Sequence, residues 1–234
     1  MLSNSGAGTR STVSKLIRSG KVTVNGSVVK DPGVHVSESD EVVIGGAKAE
    51  HKEYLYYMLD KPDCVLTAME DKRLPTVAQF IPPEVINLKL SPVGRLDYHT
   101  TGLLIITNDG NLSHRLTSPK YSIPKVYQIT YEGNPLTNKH VEDAAQGVVL
   151  TDKDTPIKLA PAELKLVSDN QAELTLYEGK THEVRRIIAS WGRSVVELRR
   201  VSVGCLSLDN NSTPGTIKEI PGDTVKTLKE SVGL

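Results

Sequence analysis

The chain is poor in aromatics, in cysteine and in long apolar runs. Aromatics are 4% of 234 residues, and eight tyrosines stand beside a single Phe80 and a single Trp191. The two cysteines, Cys64 and Cys205, lie far apart with no metal-ligand spacing. That argues against a disulfide framework and leaves two free structural thiols. No apolar run approaches the length of a membrane span. "MLSNSGAGTRS" lacks the charged-then-apolar profile of a signal peptide, so the default compartment is the cytoplasm. Net charge is missing too: 28 basic residues balance 28 acidic ones. There is no internal repeat and no low-complexity tract.

The charge that is present is unevenly placed. Met1 to Lys30 holds Arg10, Lys15, Arg18, Lys21 and Lys30 without one acid, and the balance turns acidic from Asp31 to Glu53. Basic residues dominate again from Glu178 to Gly204, at Lys180, Arg185, Arg186, Arg193, Arg199 and Arg200. Two basic clusters on a neutral chain fit either ordinary solvated charge or two surfaces for a polyanion.

The first segment divides cleanly. Thr9 or Ser11 can cap a helix over 12–19, whose apolar Val13, Leu16 and Ile17 share a face. Gly20 sits where a helix end favours a left-handed residue. "KVTVNGSVVK" is then strand, Asn-Gly turn and strand, the strongest short hairpin signal. Residues 1–45 form a small α+β domain, 46–53 are polar and read as a linker, and 54–234 are the body.

Within the body, "EYLYYMLDKPDCVLT" is a strand ending at a Lys-Pro turn, "GLLIITND" a buried strand, and "KVYQITYEG" and "QAELTLYEG" alternating strands. "NLSHRLTSP", "TNKHVEDAAQ" and "THEVRRIIASWG" are helices. Elements mix without a βαβ period, which predicts an α+β fold with a mixed, mostly antiparallel sheet. On the helix from Thr181, its expected cap, Val184, Ile187, Ile188 and Trp191 make the core face. Glu183 suits the helix's positive end. Arg185 and Arg186 lie off the centre of that stripe, as solvated charges or, with a carboxylate partner, turned inward. Tyr127 shares a strand face with Ile129 and Tyr131, the usual setting of a core tyrosine. Asp97, after Arg95-Leu96 and before Thr-Thr-Gly, reads on its own as a strand-ending aspartate.

The combination says more than its parts. "RSTVSKLIRSGKVTVNG" resembles the S4 RNA-binding domain, entered at Met1-Leu2-Ser3-Asn4 partway through that family's first helix. The resemblance implies an RNA-facing surface with Arg10, Ser11, Lys15, Arg18, Lys21 and Asn25. "VGRLDYHTTGLLIITNDG", with "LDKPDCVLT" upstream and "SHRLTSPK", "KVYQITYEG" and "YEGKTHEVRRIIASWGRSVVELRRVSVG" downstream, resembles the pseudouridine synthases. The match is to their RsuA-type branch, which modifies ribosomal RNA, and is nearer the small-subunit (16S) enzyme than its large-subunit relatives. It implies a reaction without metal, redox change or nucleotide cofactor: the N1–C1′ bond of a uridine breaks, the base turns, and C5 takes C1′.

In that family Asp97 would be the essential carboxylate, attacking C1′ or C6 or stabilising charge. Arg185 would be its cation, and Tyr127 would stack on the uracil and move a proton. Leu198 would pack on the ring, Arg95 would hold the loop or a phosphate, and His99 and Thr101 would shape the turn. Lys180, Arg186, Arg199 and Arg200 would grip RNA backbone around a flipped base. Expected partners are ribosomal RNA or a ribosomal-subunit assembly intermediate, with the protein a monomer and no membrane involved. Two other readings remain in play: the same chemistry on a large-subunit uridine, or a non-catalytic S4-type RNA-binding or ribosome-assembly factor.

Overall fold

The computed structural model describes residues 10–37, 39–49, 53–151 and 155–234. The chain falls into two compact units, Met1–Leu55 with Ile81–Leu90, and Tyr56–Phe80 with Ser91–Leu234.

In the first unit, α1 (Arg10–Arg18) is followed by β1 (Val22–Val24), β2 (Ser27–Val28), β3 (Val42–Ile44) and β4 (Ala47–Lys48), in the sheet order β2-β1-β3-β4. Val13 and Ile17 of α1 pack with Val22 and Val42 as a small core. Asn25 and Gly26 both have positive φ, the backbone a two-residue primed turn requires, so the expected hairpin forms. A second hairpin of the same kind turns at Gly45–Gly46 and places β4 inside the stretch read as a linker. The paired glycines were a turn signal. The expected Thr9 cap and the entry at Met1–Asn4 lie outside the described residues.

The second unit is one large sheet with helices packed on it. Its strands are β5 (Tyr56–Lys61), β6 (Ser91–Pro92), β7 (Thr100–Thr107), β8 (Lys125–Glu132), β9 (Val149–Leu150), β10 (Ile157–Lys158), β11 (Glu163–Ser168), β12 (Gln171–Leu176), β13 (Ser194–Val203), β14 (Leu206–Ser207) and β15 (Ile217–Glu219). Its helices are α2 (Gly110–Thr117), α3 (Asn138–Gln146), α4 (Glu183–Ser190) and α5 (Gly222–Glu230). The main sheet runs β11-β12-β8-β13-β7-β5-β15, with β14 on β13 and β6 on β7, while β9 and β10 pair separately. Among these strands the pairs are antiparallel except β13 with β7. The expected mixed, mostly antiparallel α+β fold is therefore what forms. Leu103 to Ile106 of β7 are buried on both faces, which is why that strand reads as an unbroken apolar run.

The second unit has two hydrophobic cores. One gathers Ile129, Leu174, Ile187 and Leu198 around β8, β12, β13 and α4. The other gathers Leu103, Ile105, Leu112, Val203 and Leu228 around β7, α2 and α5. β7 and β13 pass close at Gly102, whose φ is 100°, and a Cβ there would lie 2.1 Å from Arg200 O. Only glycine fits such a position.

Candidate active site

Asp97 sits in the loop between β6 and β7. The Thr100 N–H donates to its carbonyl at 3.0 Å, closing a turn from which β7 starts. Its side chain is 38% exposed, so it is neither buried in a core nor free in solvent.

Two hollows share this carboxylate. The inner one is a chamber of about 150 Å³ whose walls include Tyr127, Glu183, Thr100, Lys125 and Arg200. A space of that size takes one six-membered ring. The outer one is an open groove of about 820 Å³ with Asp63, His99, Thr101, Arg185 and Arg199 on its sides. Asp97, His182 and Leu198 line both and form the partition. The expected catalytic residues are thus brought to one place but on different sides: Tyr127 within, Arg185 without, Asp97 between.

The expected ion pair between Arg185 and Asp97 is not formed. The Arg185 guanidinium donates to the carbonyls of His99 and Val195, both at 3.4 Å. It therefore braces the loop that carries Asp97 and faces the groove. Among the described residues the side chain paired with the Asp97 carboxylate is His182, whose Nε2 is 3.5 Å from Oδ1, an ion pair when the ring is protonated. His182 is also the residue before α4, with φ 51° and no side-chain cap, where Thr181 was expected to cap. A non-glycine residue held left-handed beside a partly exposed carboxylate is the kind of position where strain is found in enzymes.

Leu198 is buried on β13 and Tyr127 half-buried on β8, on the apolar face that alternation predicts. Thr101 donates to Leu198 O at 3.4 Å, tying β7 to β13. Arg95 is exposed at the chamber wall. His99 Nδ1 meets Asp63 Oδ1 at 3.0 Å. With Cys64 these form an exposed group whose ligand-type atoms lie within 4.8 Å of one another, closed across the loop where cysteine spacing gives no sign.

Several expected RNA-gripping residues have other work. Arg200 is buried, its Nε donating to Leu103 O at 2.8 Å, so it is part of the chamber and not of a surface. Arg199 forms a two-pronged pair with buried Asp60, at 2.9 and 2.7 Å, because a carboxylate at that depth needs a cation. Lys180 is held by Glu178 at 2.8 Å. The side-chain amide of Asn25 is spent on Asp40 and on the Glu41 N–H, bracing its own turn. Arg186 is half-buried on α4. Ser11, Lys15, Arg18 and Lys21 are exposed as expected, and the side chain of Arg10 lies outside the described residues.

Two site residues went unread in the sequence. Lys61, at the end of β5, is fully buried and donates to the carbonyls of Pro62 at 3.0 Å and Tyr98 at 3.3 Å. It holds the Asp97 loop from behind. Burial pushes its pKa down to about 8, against the pull of Asp63, Cys64 and Asp97. Its signal was a lysine closing an otherwise apolar strand. Glu183 is in the first turn of α4, as its suitability for the helix's positive end implies, and is buried on the chamber wall.

A partly exposed carboxylate at the mouth of a ring-sized chamber, with a tyrosine on its wall and arginines outside, is equipped for chemistry on an unstacked base. The comparisons with known proteins agree. Residues 55–190 match the RNA pseudouridylate synthase family and residues 1–42 the S4 domain. The chain is 36% identical to ribosomal small subunit pseudouridine synthase A of Pasteurella multocida, over 95% of this chain and 94% of that one. It is 35% identical to ribosomal large subunit pseudouridine synthase B of Bacillus subtilis, over 98% and 93%. A crystal structure of a pseudouridylate synthase superposes with a TM-score of 0.68 at 34% identity, covering 97% of this chain and 96% of that one. The chain belongs to the RNA pseudouridylate synthase family. It is an RNA pseudouridine synthase carrying an S4 domain.

Proposed function

We propose that the substrate is a uridine of ribosomal RNA, in the 16S RNA of the small subunit, met as free RNA or as an assembly intermediate in the cytoplasm by a monomer. The observation that carries the site is the sharing of Asp97 between chamber and groove. A flipped uracil enters the chamber, its ribose lies at the partition, and the neighbouring phosphates stay in the groove. Asp97 then stands beside the bond that breaks. Tyr127 and Leu198 flank the ring, and the Tyr127 hydroxyl is the proton-moving group as C5 loses its hydrogen. Arg185 positions the Asp97 loop through the His99 carbonyl and offers positive charge to the groove, with Arg95 at the chamber wall. Exposed Ser11, Lys15, Arg18 and Lys21 hold RNA on the first unit. The reaction uses side chains of the protein, with no cofactor.

The relatives support both subunits, so the large-subunit RNA is the second reading. Unmodified 16S and 23S transcripts carrying tritium at uridine C5 decide between them, because the C5 hydrogen leaves when C5 takes C1′. We expect release from 16S RNA, and Asp97→Asn to lower it more than about a thousandfold, a barrier increase of roughly 4 kcal/mol. Release from 23S RNA alone transfers the assignment, and an active Asp97→Asn removes Asp97 from its role.

A further inference from the structure

Three side chains beside the groove bring metal-ligand atoms to one point. Asp63 and Cys64 lie in the turn after β5, and His99 lies just before β7. Asp63 Oδ1 is 3.0 Å and Cys64 Sγ 3.9 Å from the same atom, His99 Nδ1, and all three ligand atoms lie within 4.8 Å of one another. The three residues are exposed, so an ion from solvent can reach them. Side chains of adjacent residues in an extended chain point apart. Cys64, with φ 58°, is left-handed, and its thiol shares a side with the Asp63 carboxylate.

The arrangement is wrong for a nucleophile. In a thiol–imidazole–carboxylate relay the thiol sits on one ring nitrogen and the carboxylate on the other. Here both meet Nδ1, so the imidazole cannot pass a proton between them. Three donors converging on one point are instead the makings of a chelate. Around a tetrahedral zinc ion, oxygen, nitrogen and sulfur ligands stand about 3.3 to 3.6 Å apart. The 3.0 and 3.9 Å separations bracket that range.

The two ligand-bearing segments are also fixed beforehand. Buried Lys61 donates to Pro62 O at 3.0 Å and to Tyr98 O at 3.3 Å, and these residues immediately precede Asp63 and His99. An ion would therefore close a gap already set from beneath, at little ordering cost. The donor set names its class. Magnesium and calcium take oxygen ligands, whereas a thiolate with an imidazole and a carboxylate suits zinc.

We propose that Asp63, Cys64 and His99 bind one divalent ion of the zinc class, which clasps the turn after β5 to the loop carrying Asp97. As the metal–sulfur bond forms, the thiol proton leaves to solvent. The Cys64 thiolate and the Asp63 carboxylate then balance the ion's two charges, and His99 enters neutral. Three protein ligands leave a fourth position for water or for an oxygen ligand from the groove, whose sides include Asp63 and His99. The site stands apart from the uridine reading and needs no RNA.

The full chain, stripped with a chelator and titrated with zinc alone, tests it. Wild type should bind one zinc ion with Kd of about 1 μM or tighter. Cys64→Ser and His99→Gln should each weaken binding at least about tenfold. Cys205→Ser, which changes the other thiol, should bind as wild type does. Cobalt in place of zinc should give a thiolate-to-metal charge-transfer band in wild type and Cys205→Ser, but not in Cys64→Ser. Saturating zinc should raise the melting temperature of wild type and leave that of Cys64→Ser unchanged. Melting without metal shows that each variant is folded. No binding, equal zinc affinity in wild type and Cys64→Ser, or a charge-transfer band that survives in Cys64→Ser or vanishes in Cys205→Ser overturns the proposal. Tritium release without zinc binding sinks this inference alone, and zinc binding without tritium release sinks only the uridine reading.

Discussion

The chamber and the groove share Asp97, His182 and Leu198, yet they are built on opposite rules. In the groove, charge is matched: exposed Asp63 with exposed His99, and Arg199 with buried Asp60 behind it. In the chamber wall, the polar groups of Thr100, Glu183 and Arg200 are buried. A groove of that kind suits a ligand that brings charge but little shape. The chamber suits one flat ring with polar edges. On the proposed reading, backbone binding and base chemistry are kept in separate compartments joined at one carboxylate.

Substitutions on either side should therefore fail differently. Tyr127→Phe, which leaves the ring and removes the hydroxyl, should lower kcat roughly a hundredfold or more with KM little changed. Arg185→Ala should raise KM and lower kcat by about tenfold, since it loosens the His99 carbonyl and removes one groove charge. Single-turnover tritium release at saturating RNA, set beside a KM titration, measures both. If Arg185→Ala is as damaging to kcat as Tyr127→Phe, the guanidinium acts on the reacting atoms and the division into compartments is wrong.

What the sequence revealed follows the same division. The apolar run of β7, the alternation of β8 and the Asn25–Gly26 turn were legible because local periodicity and turn chemistry set them. Asp97, Tyr127 and Leu198 could be singled out by their resemblance to a family pattern, and they do line one cavity. Charge was the misleading signal. Lys180, Arg199 and Arg200 look alike in sequence to Lys15 and Arg18, but Lys180 is held by Glu178 two residues before it, Arg199 by a carboxylate distant in sequence, and Arg200 is turned inward by the pleat of its strand. Strand alternation sends Arg199 and Arg200 to opposite faces, one to Asp60 and the other to the chamber. Which face was solvent depended on the parallel pairing of β13 with β7, and pairing across about a hundred residues leaves no local trace. Glu183 was hidden for a related reason. Its place at the start of α4 suits a solvated cap, and only the packing of Glu178 and Lys180 shows it buried.

The partition itself is held from behind by Lys61, and this can be read from stability. Its pKa falls from 10.5 to about 8 in the folded protein, so between those values the unfolded chain binds more protons. Stability should then rise with pH through that window, with the burial cost fully present below about pH 8. The increment is at most on the order of 3 kcal/mol. Urea unfolding of wild type and Lys61→Met at about pH 7.5 and about pH 10 isolates it as the difference between the two proteins. Lys61→Met should lack the rise and, having lost the bond to Tyr98 O, should also turn over more slowly although it touches neither compartment. Parallel pH profiles for the two proteins would mean that Lys61 is charged and solvated, and that the Asp97 loop is held by something else.

The smallest expected effect is the one that separates the compartments most directly. A cation that acts on phosphate releases counterions, whereas a group that acts on an enclosed base does not. The logarithm of RNA affinity against the logarithm of salt should therefore lose about 0.7 to 0.9 of slope in Arg185→Ala, the range for one phosphate contact. Tyr127→Phe should leave the slope as it is while still changing turnover. Arg199→Ala should also leave the slope unchanged, because its guanidinium is already neutralised by Asp60. It should instead lower the melting temperature by stranding that buried carboxylate. If Arg199→Ala loses slope as Arg185→Ala does, then the Asp60 pair opens when RNA binds. The groove would then hold two phosphate sites where its resting geometry offers one.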